Sequence, residues 1–128
     1  MINQEWVQQF QQRTMRFALS CISLYRALPK SVESSVIGKQ LIRCATSVGA
    51  NYRAACRAKS KPDFIYKLGI VVEEADESVY WLELLVESKI AIGFIEDAQI
   101  LDLKREAEEI RSVVARSRAT AKRNQNQS

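Results

Sequence analysis

The chain has 128 residues and a mass of 14.6 kDa, is 47% apolar and 27% charged, and carries a formal net charge of +4. That is one domain, long enough to fold without disulfides, too apolar for disorder, and with 4 glycines and 2 prolines too poor in turn residues for a β-sandwich. It has no histidine, which excludes nucleophile–histidine catalysis and every His-ligated metal site, so an enzyme is not expected.

Cys21, Cys44 and Cys56 are an odd number and form no CxxC pair. Apolar or small residues flank them, which predicts buried free thiols in a reducing compartment. The opening MINQEWVQQF lacks the basic-then-apolar profile of a signal peptide. No apolar run approaches the roughly 20 residues that span a bilayer. The expectation is a soluble cytoplasmic protein without a membrane partner.

Apolar residues recur at steps of three and four from Gln4 to Ala27: Val7, Phe10, Thr14, Phe17, Cys21 and Leu24. This spacing predicts a first helix, ended at Leu28-Pro29 because the residue before a proline leaves the α region. A second helix is predicted from Val32–Ser35 to Ala58, with Ile37, Leu41, Cys44, Val48 and Ala55 inward, flanked by Tyr52. Ala45 and Gly49 permit a close helix approach. Ser60 followed three residues later by Asp63 reads as a capping box. It opens a third helix over Lys61–Ser88, with Phe64, Leu68, Val71, Ala75, Ser78, Leu82 and Leu85 inward. Gly93 marks a turn into a fourth helix over Ile95–Ala119, with Ile100, Leu103, Ala107, Ile110 and Val114 inward. Residues 121–128 have no apolar periodicity and are expected to form a disordered basic and polar tail to a bundle of residues 1–120. Four long helices with short loops predict an all-α, antiparallel up-down-up-down four-helix bundle.

Charge is sorted along the chain. Residues 1–62 carry +8, residues 63–110 carry −9, and residues 111–128 carry +5. At 100° per residue, Lys39, Arg43, Arg53 and Arg57 fall on one face of the second helix, opposite its apolar stripe. A basic ridge of this kind suits phosphates, which arginine grips with two donors at once. It could equally pair with the acidic third helix, through Glu73, Asp76, Glu77, Glu83 and Glu87, in one subunit or between two. Arg116, Arg118, Lys122 and Arg123 add a second basic group near the C-terminus. These eight side chains are the candidate nucleic-acid contacts.

The third helix carries more apolar surface than a bundle needs. Ile70, Tyr80, Trp81 and Leu84 lie largely away from its inward stripe, and Tyr66 sits with them. Exposed aromatics grouped on one helix predict an oligomer interface. Trp6 either joins that contact or caps the bundle end. The carboxylates fall outside the stripes, so no metal and no acid–base pair is assigned. The glycines are isolated and form no phosphate loop, so no cofactor is expected.

The stretch SVGANYRAACRAKSKPDFIYKLGIVVEEADESVYWLELL, residues 47–85, resembles the four-helix-bundle family named for proteins encoded in 23S ribosomal RNA intervening sequences. Ser47-Val48-Gly49-Ala50-Asn51, the basic loop before Phe64, the Glu-rich third helix and the turn Ile92-Gly93-Phe94-Ile95 carry the resemblance, which covers roughly residues 5–118. It implies a cytoplasmic scaffold without established catalytic residues, assembling as a ring-like homopentamer. The fold is also similar to accessory proteins of diversity-generating retroelements, which bind nucleic acid and a reverse transcriptase. Where many members have an aliphatic-Ala-Glu-Gly sequence after the asparagine, this chain has Tyr52-Arg53-Ala54-Ala55, losing an acid and gaining a base. Asn51, at the edge of the stripe, is expected to hold a hydrogen bond that fixes helix pairing or register, with a ligand contact as the alternative. The function expected is that of a non-catalytic oligomeric bundle binding RNA or DNA. The alternative is a protein-interaction scaffold whose charged faces serve self-assembly, with no nucleic-acid role. The expected partners are further copies of the chain, RNA or DNA, and an unidentified protein.

Overall fold

The computed structural model of the chain describes residues 3–127, with side chains described to Gln125. Four helices follow one another: α1 Gln4–Ala27, α2 Val32–Cys56, α3 Lys61–Ser88 and α4 Asp97–Gln127. No strand occurs among the described residues.

Local chemistry sets most of these boundaries. Asn3 caps α1 by accepting the Glu5 and Trp6 backbone N–H groups. Ser31 caps α2 through Ser34 N, and Ser60 caps α3 through Asp63 N at 3.2 Å. The capping box is open on its return side: the Asp63 carboxylate accepts the N–H of Lys59, one residue before the cap, rather than that of Ser60. Each contact supplies a partner for a backbone donor otherwise unpaired at a helix start. The turn between α3 and α4 uses left-handed backbone at Lys89 (φ 63°) and Gly93 (φ +88°). Only Gly93 takes that conformation without a Cβ penalty.

The fourth helix differs from expectation. It continues through Gln127, across the segment 121–127 expected to lack structure; Ser128 lies outside the described residues. Alanine, lysine, arginine and glutamine in Ala119–Gln127 are strong helix formers even without an apolar stripe. Ala121 is buried, giving this last stretch an anchor.

Contacts between helices show the antiparallel order. Tyr25 lies over Gly38 and Thr14 over Gly49, joining α1 to α2. Cys44 meets Ser78, joining α2 to α3. Asp76 pairs with Arg111 and Glu83 with Lys104, joining α3 to α4, and Arg13 pairs with Glu106 to close α4 onto α1. α1 touches α4 least, and α3 packs extensively on both neighbours. The core runs the length of the bundle through Phe10, Phe17, Leu41, Val48, Leu68, Leu82, Ile100 and Ile110. The α1 stripe is buried as its spacing predicts. On α2, Ser34, Gly38 and Ala45 are buried too. Phe64 on α3 is only half-buried, because it sits at the end of the bundle.

A basic pole as candidate nucleic-acid interface

The eight candidate basic residues divide into two sets. Arg43 is held by its own chain: it pairs with Glu77 and lies 3.7 Å from Glu74, both on α3. Glu77 also accepts the Trp81 indole N–H at 3.0 Å. Part of the ridge is thus spent on pairing α2 with α3 inside one subunit. Arg118 is also committed. Its Nε donates to the Ile65 carbonyl at 3.1 Å, and its guanidinium fills the space left by Gly69. Arg123 is exposed and, among the described residues, donates only to the neutral Thr120 hydroxyl. Lys39, Arg53, Arg57, Arg116 and Lys122 are exposed and have no ion pair among the described residues.

Antiparallel packing brings all of this second set but Lys39 together. α2 and α4 end at the same end of the bundle, where α3 begins. Arg53 stands there on the last turn of α2 and Arg57 at its C-cap, Lys59 on the connection, Lys61 at the first position of α3, and Arg116, Lys122 and Arg123 on the last turns of α4. Lys67 joins them, paired with Asp63 at 2.9 Å. The acids at this end are Glu5 and Asp63. The Asp63 carboxyl is held below its ordinary range, first by Lys67 and then by the Lys59 N–H. Helix C-termini favour basic side chains through the dipole, by a few tenths of a kcal/mol each. That accounts for one or two such residues, not for a whole end of the molecule. Lys39 stands apart, near the opposite end of α2. The positions of Lys59, Lys61 and Lys67 in this pole are visible in sequence only once the antiparallel order is laid over the charge pattern.

The middle of the bundle is acidic. On the outer face of α3, Tyr66, Ile70, Glu73, Glu77, Tyr80 and Leu84 recur at alternating steps of four and three. Tyr80 is 57% exposed. Trp81 and Leu84 are half-buried and pack partly against the core. Trp81 leans toward α2 through Glu77 and meets the Tyr80 ring edge-on at 5.0 Å. Trp6 lies at the basic end, stacked on Phe10, so it is not part of the α3 face.

Other candidate groups serve the fold. Asn51 is half-buried, and its Nδ2 donates to Ser47 O at 2.8 Å within α2. That bond is local to one helix, so it does not fix helix pairing or register as its position suggested. Cys21 and Cys44 are buried free thiols, and Cys56 is an exposed one. Burial pushes the Cys21 thiol up to about 12 and raises that of Cys44. The Ser78 hydroxyl lies 3.2 Å from the Cys44 sulfur and 2.9 Å from Glu74 O, so its one proton is shared between two acceptors. Among the described residues no group of three or more Cys, Asp or Glu is placed to hold a metal ion, and no helix is long and apolar enough to cross a membrane.

Comparison with known proteins places this architecture. A crystal structure at 1.70 Å of a protein of unknown function from the S23 ribosomal protein family of Bacteroides thetaiotaomicron is 33% identical. It superposes with a TM-score of 0.77, over 88% of this chain and 97% of its own. No curated protein matches. The model of the 23S rRNA-intervening sequence protein family matches residues 8–116, from the first turns of α1 to the last third of α4, and the chain belongs to that family.

Proposed function

We propose that the protein is a non-catalytic, cytoplasmic, oligomeric four-helix bundle that binds RNA or DNA through its basic pole. The observation that carries this reading is the convergence of Arg53, Arg57, Arg116 and Lys122 at one end, exposed and without carboxylate partners among the described residues. Unpaired cations brought close together repel one another, so the arrangement is most stable with an anion across it. A chain of phosphates supplies that anion along the width of the pole. The family's name, taken from ribosomal RNA, agrees with a nucleic-acid setting.

Self-association is the second part of the reading. It is supported by Ile70, Tyr80 and Leu84 on the outer face of α3, by the exposure of Met15 and Leu19 on α1, and by the resemblance that implies a homopentamer. The alternative scaffold reading relies on basic α2 meeting acidic α3 across subunits. It is weakened at Arg43, whose acidic partners lie in its own chain.

The test is binding of labelled RNA and DNA as a function of salt. Counterion release predicts a slope of about −0.7 to −0.9 per phosphate contact. Arg53→Ala, Arg57→Ala and Lys122→Ala together should lower affinity and flatten that slope without unfolding the bundle. Undiminished affinity in the triple variant overturns the pole as the site.

A further inference from the structure

Two exposed aromatic side chains stand among the cations of the basic pole, outside the core. Tyr66, in the second turn of α3, is 66% exposed and makes no hydrogen bond or ring contact among the described residues. Trp6, in the first turn of α1, is 43% exposed. Its ring lies on Phe10 with centroids 5.2 Å apart and planes 4° from parallel, and Phe10 in turn meets Tyr52 edge-on.

Helix register places both rings level with the cations. Tyr25 over Gly38 and Thr14 over Gly49 set α1 against α2, which puts Trp6 level with Arg57. Cys44 against Ser78 sets α2 against α3, which puts Tyr66 level with Cys56 and Arg57. α1 and α3 are diagonal in the bundle, with α2 between them. Around the pole the surface therefore alternates: Trp6, then Arg53 and Arg57, then Tyr66, then Lys122 and Arg116.

We infer that the pole takes single-stranded nucleic acid, with Trp6 and Tyr66 as platforms for unpaired bases. This rests on the nucleic-acid reading above and narrows its substrate class. A duplex hides the faces of its bases and offers a surface of phosphates, for which cations alone suffice. A single strand turns base faces outward, and each needs a flat apolar partner close to a cation for the adjoining phosphate. Trp6 is prepared for this, because a base on its outer face would extend the stack begun on Phe10. An inorganic polyanion would use the cations and ignore the rings. A second copy of the chain would cover the rings and remove them from solvent.

The experiment uses the full chain at one salt concentration, with labelled oligothymidine of about 20 nucleotides and a mixed-sequence duplex of the same length as probes. The single strand should bind more tightly. Tyr66→Ala should weaken it roughly ten-fold, the ordinary cost of losing one base stack. Duplex affinity and the salt slope should stay unchanged, and Tyr66→Phe should restore binding. In a Trp81→Phe background, oligothymidine should quench the fluorescence of Trp6. Trp6→Ala can loosen the Phe10 stack, so Tyr66→Ala is the deciding variant. Tighter duplex binding, a neutral Tyr66→Ala, or equal losses on both probes overturns the stacking inference and leaves the basic pole standing. Competition by polyphosphate equal to that by oligothymidine does the same. A lower assembly mass for Tyr66→Ala assigns the ring to a second copy and also overturns it. Absence of binding to either probe overturns this inference and the nucleic-acid reading together.

Discussion

The ring of Tyr25 on α1 occupies the place where a side chain on Gly38 of α2 would begin. A Cβ built on Gly38 would lie 2.1 Å from Cδ1 and 2.5 Å from Cε1 of that ring. Glycine in a helix interior ordinarily costs about 1 kcal/mol against alanine, so Gly38→Ala on an isolated helix would stabilise. Here it should destabilise by about 1–3 kcal/mol, because the ring must leave a packed seam. Urea midpoints of Gly38→Ala, Tyr25→Ala and the double variant measure this. The double variant should lose less than the sum of the two, since removing the ring removes the clash.

Buried thiols make the fold sensitive to alkali. In the unfolded chain a cysteine ionises near pH 8.5, whereas burial holds the native Cys21 proton up to about 12. The native state keeps a proton that the unfolded state gives up. This contribution to stability is therefore complete below about pH 8.5 and is lost as pH rises toward about 12. Cys44 acts in the same direction. Urea midpoints should fall across this window, and Cys21→Ala should show a shallower fall despite its lower stability at neutral pH. In native protein at pH 8 a thiol reagent should titrate Cys56 alone at once, and all three thiols after denaturation.

Asp63 works in the acid range. Its depressed pKa means that the carboxylate stabilises the fold above its unfolded value of about 3.9, and that this is lost as pH falls through the native value. Asp63→Asn should lower the melting temperature at neutral pH, and the difference from the parent should vanish in strong acid. A difference of constant size across the titration would place the effect in packing rather than charge.

How much of this molecule was legible in its sequence depends on the range of the interaction. The stripe from Val7 to Leu24 has one period and one solution, because a helix that buries those residues is the arrangement that hides them all. Ser31, Ser60 and the sequence around Pro29 and Pro62 likewise act within four residues. The end of α4 was not legible from periodicity, since exposed helix formers hold that segment with little burial. The site was least legible. Whether Arg43 is free depends on Glu77, 34 residues away, and whether Arg118 is free depends on Ile65, 53 residues away. Trp6 and Tyr66 come level with Arg57 only through the register of three helices.

Assembly is the remaining prediction, and the structure changes which residue should probe it. Trp81 is half-buried, bonded to Glu77 and packed partly on the core, so Trp81→Glu would damage the contact of α2 with α3 before it touched an interface. Tyr80 is the better probe. It is more than half exposed on the outer face of α3, on one line with Ile70 and Leu84, and its hydroxyl makes no hydrogen bond among the described residues. Burying that line against a second copy would contribute about 25 cal/mol per Å² of apolar area, before the entropic cost of association. Surfaces that differ on the two sides of the contact close into a ring when the rotation permits. Light scattering of the parent at micromolar concentration should then give a multiple of 14.6 kDa, about five-fold for the proposed pentamer. Tyr80→Glu should shift the mass toward 14.6 kDa while leaving the helical signal and the thermal transition of the subunit in place. A parent that scatters as a monomer, or a Tyr80→Glu variant that keeps its full mass, removes α3 as the assembly surface.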